Sequence, residues 1–293
     1  MELQWPLIIF TALTAWASGL FATQCMCALK GDARKSQIPS LIASVAILGA
    51  GGIAVFFHLE HWERIFNGFG NPTSGITHEL VMIVILVAVM VAFFALARQR
   101  DGVIPKPLSI AGIAVSALLV IAMAHSYMMA SRPVWNTVLW VVYVLGNACV
   151  LGPATFALID SLVDKESDGS KHATLVLAGA AVNAVTTLAY AVAIVLSGSS
   201  FVDMGYSIDP TLPAQAAPDM AAATNVFAGE YALLTWAGVI LIGAVVPVVC
   251  AYLGKKKAQW KIAAPLILVA ALIGAFCMRV LFYLLGNDVF LLF

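Results

Sequence analysis

The sequence predicts an all-α integral membrane protein, a bundle of eight transmembrane helices with both termini outside. Two observations lead to this fold class. Of the 293 residues, 62% are hydrophobic and only 10% are charged, whereas soluble domains carry roughly 25% charged residues. The chain also contains eight apolar runs, each near the roughly 20 residues that a helix needs to cross a bilayer. The whole chain, residues 1–293, is therefore expected to form a single transmembrane domain.

The eight apolar runs are continuous rather than alternating, which favours helices over a closed barrel. A helix satisfies its own backbone polar groups, so it can lie in lipid without a partner strand. The predicted spans cover residues 5–29, 38–57, 79–97, 108–128, 134–159, 173–196, 226–253 and 262–285.

Lysine and arginine are distributed unevenly between the two ends of these spans. Twelve of them lie in or beside the first, third, fifth and seventh connections: Lys30, Arg34, Lys35, Arg98, Arg100, Lys106, Lys165, Lys171, Lys255, Lys256, Lys257 and Lys261. The other connections hold only Arg64 and Arg132, and Arg279 lies within the eighth span. Basic connections remain preferentially in the cytoplasm. We therefore predict that both termini, with the second, fourth and sixth connections, face outward.

The composition argues against some other classes of function. A formal net charge of +0 predicts no nucleic-acid partner. The cysteines lie mostly in apolar runs and form no C-x-x-C motif, so we interpret them as buried apolar side chains rather than as disulfides, metal ligands or cluster ligands. They are Cys25, Cys27, Cys149, Cys250 and Cys277.

Ionisable residues gather near the predicted outer ends of the spans. His58 ends the second span, Glu79 opens the third, and His125 lies near the end of the fourth. Glu230 lies in the first turn of the seventh span, and Arg279 in the outer third of the eighth. Ionisable groups at membrane depth often mark a functional site. The sequence therefore predicts a polar site near the outer face.

Most of these residues also have a purely structural interpretation. A carboxylate in a first helical turn, such as Glu79 or Glu230, is stabilised by about 0.3–1 kcal/mol through the helix dipole. His61 and His78 suit a solvated loop. Arg279 is harder to explain, because an arginine at the middle of a span costs about 2.5–3.5 kcal/mol on insertion scales. We expect Glu79 or Glu230 to pair with it, as structural support or as part of a site.

Three polar residues lie deeper in their spans than the ionisable group. Asn147, Asn183 and Tyr190 are predicted to form hydrogen bonds between helices rather than to bind a ligand.

Three kinds of chemistry compete for the outer cluster. A transporter would place polar groups through the bilayer midplane, which is poor in ionisable residues here. A b-type cytochrome would need facing histidine pairs inside the spans, where only His125 is a candidate, so no haem is expected. A quinol site fits best, because histidine and carboxylate side chains can accept the protons that quinol oxidation releases.

Several short motifs resemble the membrane-anchor subunit of dimethyl-sulfoxide reductase and its molybdoenzyme relatives. His58-Leu59, Arg64-Ile65-Phe66-Asn67, Ser74 and Glu79-Leu80 are similar to the family's His-Leu-Gly-x-Pro-x-Arg-x-x-Asn run and the Ser-x-Glu-Ile helix start that follows it. Weaker similarities are the opening from Trp5 to Thr11, the turn from Leu29 to Asp32, Gly152-Pro153, and the run from Arg279 to Tyr283. The chain departs from the pattern at Glu60, where the family has glycine, and at Trp62, where it has proline.

The resemblance implies a subunit that does not carry the catalytic centre. It would bind menaquinol near the outer face, oxidise it to menaquinone, and pass electrons to a four-cluster, ferredoxin-like iron–sulfur subunit that feeds a molybdopterin catalytic subunit. His58 and Glu79 match the quinol-site residues of the family, and we group Arg64, His125 and Arg279 with them. The expected location is the bacterial cytoplasmic membrane. A polysulfide-reductase-type anchor of another respiratory complex, and a non-redox transport or assembly protein, remain the alternatives.

Overall fold

The computed structural model describes residues 3–59, 61, 64, 67, 69–164, 170–203 and 219–291. Within these ranges, eight helical segments are long and apolar enough to cross a membrane. The predicted fold class, a bundle of eight transmembrane helices, is confirmed.

A long α-helix forms the body of every span except the seventh, which combines three helical forms. The helices are α1 (Trp5–Lys30), α2 (Gln37–Phe56), α3 (Gly75–Gln99), α4 (Lys106–Ser126), α5 (Val138–Val163), α6 (Ala173–Ser197), the short α7 (Met220–Ala223), α8 (Val246–Lys257) and α9 (Trp260–Leu284). The seventh span begins with the 3-10 turn Gly229–Tyr231 and the π-helix Leu234–Val245, and continues as α8. Two-residue strands β1 (Val202–Asp203) and β2 (Phe290–Leu291) pair in parallel.

Local sequence signals explain where several helices begin and end. Pro6 stands in the first turn of α1, where a missing backbone N–H costs nothing, and Gly31 ends the helix in the left-handed conformation with φ 74°. Thr137 caps α5 by accepting a hydrogen bond from the backbone N–H of Leu139, at 3.2 Å. The third span begins at Gly75 rather than at residue 79. Glu79 therefore lies in the second turn of α3 and not, as predicted, in the first.

Helices α1, α5 and α9 are the most buried spans and form the centre of the bundle. Helix α1 packs against α2, α4 and α5, while α5 also packs against α6 and α9. At the crossing of α1 and α5, a side chain on Gly19 would overlap the backbone of Ala148, and one on Gly152 would overlap the backbone of Gly19. Small residues at this crossing let the two backbones approach closely, which is how helices gain packing energy in lipid.

The cysteines only partly follow the prediction that they are buried. All five are free thiols; Cys25 and Cys27 are buried, Cys250 and Cys277 are half-buried, and Cys149 is exposed. Cys149 lies in the wall of a surface cleft between helices, which explains the difference.

One end of the bundle, here called the basic end, carries the connections rich in lysine and arginine. There Asp160 accepts hydrogen bonds from Ser36 at 2.6 Å and from His172 Nε2 at 3.1 Å. His172 Nδ1 lies 3.7 Å from the thiol of Cys27. Nearby, Lys35 pairs with Asp164 at 2.9 Å. These contacts tie the first connection to the fifth, as the predicted alternation of spans requires.

The first and last described residues of the chain lie at the opposite end of the bundle. Gln4 contacts His58 after α2, the backbone N–H of Val289 donates to Ser131 at 2.7 Å, and that of Val202 donates to Val289 at 2.8 Å. The second, fourth and sixth connections therefore share an end with both termini. That this end faces outward remains a prediction.

Candidate functional site

An apolar groove separates α2 from α3 on the lipid-facing surface of the bundle. It has a volume of about 650 Å³ and is lined by side chains of both helices, including Gly49, Gly52, Ile83 and Met90. Neither Gly49 nor Gly52 has another atom within 4 Å of the position that a Cβ would occupy. The groove is therefore open space rather than a tight helix crossing.

Glu79 lies on α3 beyond the lining of this groove, toward the end that is opposite to the basic end. It precedes Ile83 by four residues on α3, so both side chains lie on the same helix face. Glu79 is buried, with 8% of its surface exposed. The hydroxyl of Ser126 lies 3.5 Å from Oε2, but its shorter hydrogen bond, 2.7 Å, goes to the carbonyl of Met123. Oε1 is buried and has no hydrogen-bond partner.

A buried carboxylate oxygen without a partner is energetically unfavourable, because burial removes water and no protein donor replaces it. Protonation of Glu79, or a hydroxyl group of a ligand in the groove, would relieve this cost. Glu79 is thus placed to exchange a proton with a molecule at the end of the groove.

His58 follows the end of α2, beyond Gly52, the last residue of α2 that lines the groove. Its side chain is exposed, and Nδ1 lies 3.2 Å from Oε1 of Gln4. The structure records no direct contact between His58 and Glu79. The two predicted site residues therefore stand at the ends of the two helices that form the groove, without being hydrogen-bonded to each other.

Arg279 is fully buried in the centre of the bundle and binds neutral groups. Its Nε donates to Thr11 Oγ1 at 2.9 Å, and Nη1 donates to Asn147 Oδ1 at 2.8 Å. The guanidinium also lies 5.8 Å from the ring centre of Trp140 and 5.9 Å from that of Tyr143. In the part of the chain that the structure describes, no carboxylate pairs with it. The prediction that Glu79 or Glu230 neutralises Arg279 is wrong.

The Arg279 network continues across the bundle. Asn147 donates to Asn183 at 3.0 Å, and Asn183 donates to the backbone carbonyl of Gly243 in the π-helix at 3.1 Å. Tyr190 donates to the carbonyl of Val134 at 3.2 Å. The predicted role of Asn147 and Asn183 as hydrogen-bonding groups between helices is confirmed, whereas Tyr190 binds the connection between α4 and α5 instead of another helix.

Two tyrosines link the Arg279 region to Glu79. Tyr127 and Tyr283 each interact electrostatically with both charged groups. Tyr127 directly follows α4, and burial raises the pKa of its phenol well above the ordinary value, with Tyr283 and Glu79 adding to the effect. Tyr127 therefore stays protonated at neutral pH and can donate a hydrogen bond. The hydroxyls of Tyr127 and Tyr283 interact with each other.

The remaining predicted residues lie at the same end but outside this buried cluster. Arg64, His78 and His125 are exposed, and Glu230 is exposed in the 3-10 turn that opens the seventh span. Glu60 and Trp62, where the sequence departs from the family motif, lie outside the described residues, as does most of the connection between residues 203 and 219.

Sequence reasoning missed the groove, the two tyrosines and the burial of His172. The run from Arg279 to Tyr283 did point to Tyr283, but only as part of a motif. Nothing in the sequence shows that α2 and α3 diverge, since a gap between helices depends on their relative rotation and tilt.

The fold and the site define a class: a multi-pass helical subunit of the membrane with a buried carboxylate beside a groove open to lipid. The chain belongs to the DMSO reductase anchor subunit (DmsC) family, whose sequence model matches residues 1–285. It is therefore a membrane-anchor subunit of a DMSO-reductase-type complex, which favours the anchor interpretation over the transport and assembly alternatives. A search of curated proteins gave no match to this chain.

Proposed function

We propose that the subunit oxidises menaquinol at the end of the groove between α2 and α3, and that this end faces outward. One observation carries the proposal. Glu79 has a buried, unpartnered carboxylate oxygen one helical turn before Ile83, which lines an apolar groove of about 650 Å³. An isoprenoid tail would lie in the groove, and the quinol head group would reach Glu79 on one side and His58 on the other.

Oxidation of one menaquinol to menaquinone releases two electrons and two protons. His58 accepts a hydroxyl proton at the exposed side of the site, and Glu79 accepts a proton at the buried side and passes it to the aqueous phase. The hydroxyl of Ser126, 3.5 Å from Oε2, helps to orient Glu79. Arg279 holds α1, α5 and α9 together beneath the site. Its positive charge also makes the electrostatic potential at the site more positive, without a direct pair with the carboxylate of Glu79.

The two electrons leave through a partner chain. We infer that a four-cluster, ferredoxin-like iron–sulfur subunit docks at the same end of the bundle and feeds a molybdopterin catalytic subunit. Exposed Arg64, His125 and the long second and sixth connections belong to this face. The anchor itself is proposed to carry no haem, because electrons pass from the quinol to a cluster of the partner.

The experiment replaces each proton acceptor by an isosteric or similar neutral group, in His58→Gln and Glu79→Gln. A positioned acid or base contributes typically 10²–10⁴-fold to the rate. We therefore expect menaquinol-linked turnover of the assembled complex to fall by about 100-fold or more. Turnover with an artificial donor that bypasses the anchor should stay at the wild-type level.

Matched controls exist at the same end of the bundle. His78→Gln removes an exposed histidine and Glu230→Gln an exposed carboxylate, and both should retain menaquinol-linked turnover. Wild-type menaquinol turnover in His58→Gln and Glu79→Gln would refute the proposed roles. Loss of assembled complex with normal turnover per complex would show that the two residues act only in folding.

A further inference from the structure

A second, separate cavity opens at the basic end, far from the proposed quinol site. It has a volume of about 210 Å³ and lies between the end of α1 and the start of α6. Lys30, Asp32 and Lys171 stand in its wall, together with the apolar side chains of Met26 and Leu175. The cavity thus combines charged groups with an apolar side.

The apolar side continues into a deeper cleft. This cleft, of about 320 Å³, lies between α1, α4, α5 and α6, and its lining also includes Met26 and Leu175. Its wall on α1 runs from Met26 to Ser18, a distance of about 12 Å along the helix axis. The two cavities therefore adjoin, with the charged one at the end of the helices and the apolar one inside the membrane.

The charges at the rim favour an anion. Lys30 and Lys171 are exposed, and within the described residues neither forms an ion pair, whereas the neighbouring Lys35 pairs with Asp164. Among the described residues, the cavity wall carries two ammonium groups and one carboxylate, that of Asp32. His172 also lines the cavity, but its ring is engaged by Asp160 and Cys27.

We propose that one anionic phospholipid binds here, from the leaflet at the basic end. Its phosphate lies between Lys30 and Lys171, and one acyl chain enters the cleft between α1, α4, α5 and α6. An anionic head group matches the charged cavity, and an acyl chain matches the apolar cleft beside it, so an anionic phospholipid can occupy both. A zwitterionic lipid lacks the net charge, and a quinone lacks the anionic head group.

The occupant can be tested on the assembled complex. The complex is reconstituted in nanodiscs of phosphatidylcholine with 20% phosphatidylglycerol, roughly the anionic content that recruits basic segments. It is then released for native mass spectrometry, which counts the retained lipids. We expect one phosphatidylglycerol per anchor subunit in the wild type. Each lysine at a membrane surface contributes about five-fold in affinity, so Lys30→Gln with Lys171→Gln should reduce retention about 25-fold.

Two further variants make the test specific. Ala178 lines the cleft and is exposed, so Ala178→Phe should fill the cleft and release the lipid while both lysines remain. Lys255→Gln with Lys256→Gln removes two exposed lysines of the same end and should leave retention unchanged. Equal lipid loss in the two lysine pairs would overturn the proposal, as would full retention in Ala178→Phe. Retention of an isoprenoid quinone instead of phosphatidylglycerol, with its head at the unpartnered hydroxyls of Ser18 and Ser116, would also overturn it.

Discussion

The charge of Arg279 is accommodated by neutral acceptors rather than by a counter-ion. Thr11 and Asn147 accept hydrogen bonds from the guanidinium, and two aromatic faces lie within 6 Å. Hydrogen bonds to a charged group are about twice as strong as those between neutral groups. The sequence predicted the depth of Arg279 correctly but not its partners, because depth along a span leaves the rotation of the neighbouring helices undetermined.

The residues of the Arg279 network contribute unequally to the stability of the folded subunit. Asn147 binds a cation directly, whereas Asn183 binds only neutral groups. We expect Asn147→Ala to lower the free energy of unfolding by about 1.5–3 kcal/mol. Asn183→Ala removes two neutral hydrogen bonds and should lower it by about 1.2 kcal/mol, since one hydrogen bond between membrane helices contributes about 0.6 kcal/mol on average. Unfolding of the purified subunit in a denaturing detergent measures both values.

Asn287→Ala is the control for this comparison. Asn287 is exposed near the carboxyl terminus, and its replacement should change stability by less than about 0.5 kcal/mol. Equal losses in Asn147→Ala and Asn183→Ala would show that the guanidinium gains no special stability from Asn147.

At the scale of helices, the sequence predicts where each helix lies along the chain but not how neighbouring helices pack against each other. The eight spans follow from apolar length alone, since each helix satisfies its own backbone. The π-helix Leu234–Val245 was not predicted; Asn183 binds one of its carbonyls, and Gly243 meets Gly274 of α9. The groove between α2 and α3 was not predicted either, because the apolar residues on its walls look the same in sequence whether they face a helix or lipid.

The groove can be filled without disturbing the bundle. A Cβ at Gly52 would meet no other atom within 4 Å, and Gly52 lines the groove, so Gly52→Leu should fold normally and occupy space proposed for the quinol tail. Losing the burial of two methylene groups costs about 1.6 kcal/mol, which corresponds to roughly a tenfold weaker apparent affinity for menaquinol. The KM for menaquinol should rise while turnover at saturation changes little.

Ala50→Leu provides the matched control on the same helix. Ala50 is exposed and does not line the groove, so the kinetics of this variant should equal those of the wild type. The same KM in Gly52→Leu and the wild type would exclude the groove as the quinol site.

For the whole molecule, the two ends of the bundle differ in charge and in structure. The connections of the basic end contain twelve of the fifteen lysine and arginine residues of the sequence, of which Lys165 lies outside the described residues, while His58 and Glu79 lie at the opposite end. The structure confirms which connections share an end, but the membrane sets which end faces outward. The positive-inside rule places the basic end in the cytoplasm. The proposed quinol site would then face outward, and the proposed lipid site would face the cytoplasm.

Reporter fusions test the orientation directly. A reporter that is active only outside the cytoplasm should be active when fused after residue 293 and inactive when fused after Lys257. A reporter that is active only in the cytoplasm should give the reverse pattern. Cytoplasmic activity at the carboxyl terminus would place Glu79 and His58 at the inner face and invert the proposed direction of proton release.

The same orientation predicts where the iron–sulfur subunit docks. Electrons must leave near the quinol head group, so the partner should cover the end that holds His58, Glu79 and Arg64. A photo-crosslinking amino acid at Arg64, which is exposed, should capture the iron–sulfur subunit in membranes that contain the assembled complex. The same probe at Lys256, exposed at the basic end, should not.

Capture of the iron–sulfur subunit from Lys256 but not from Arg64 would separate the docking face from Glu79 by the thickness of the bilayer, about 30 Å. Electron transfer from a quinol at Glu79 could not then reach the partner, so this result would contradict the proposed site as well as the docking face.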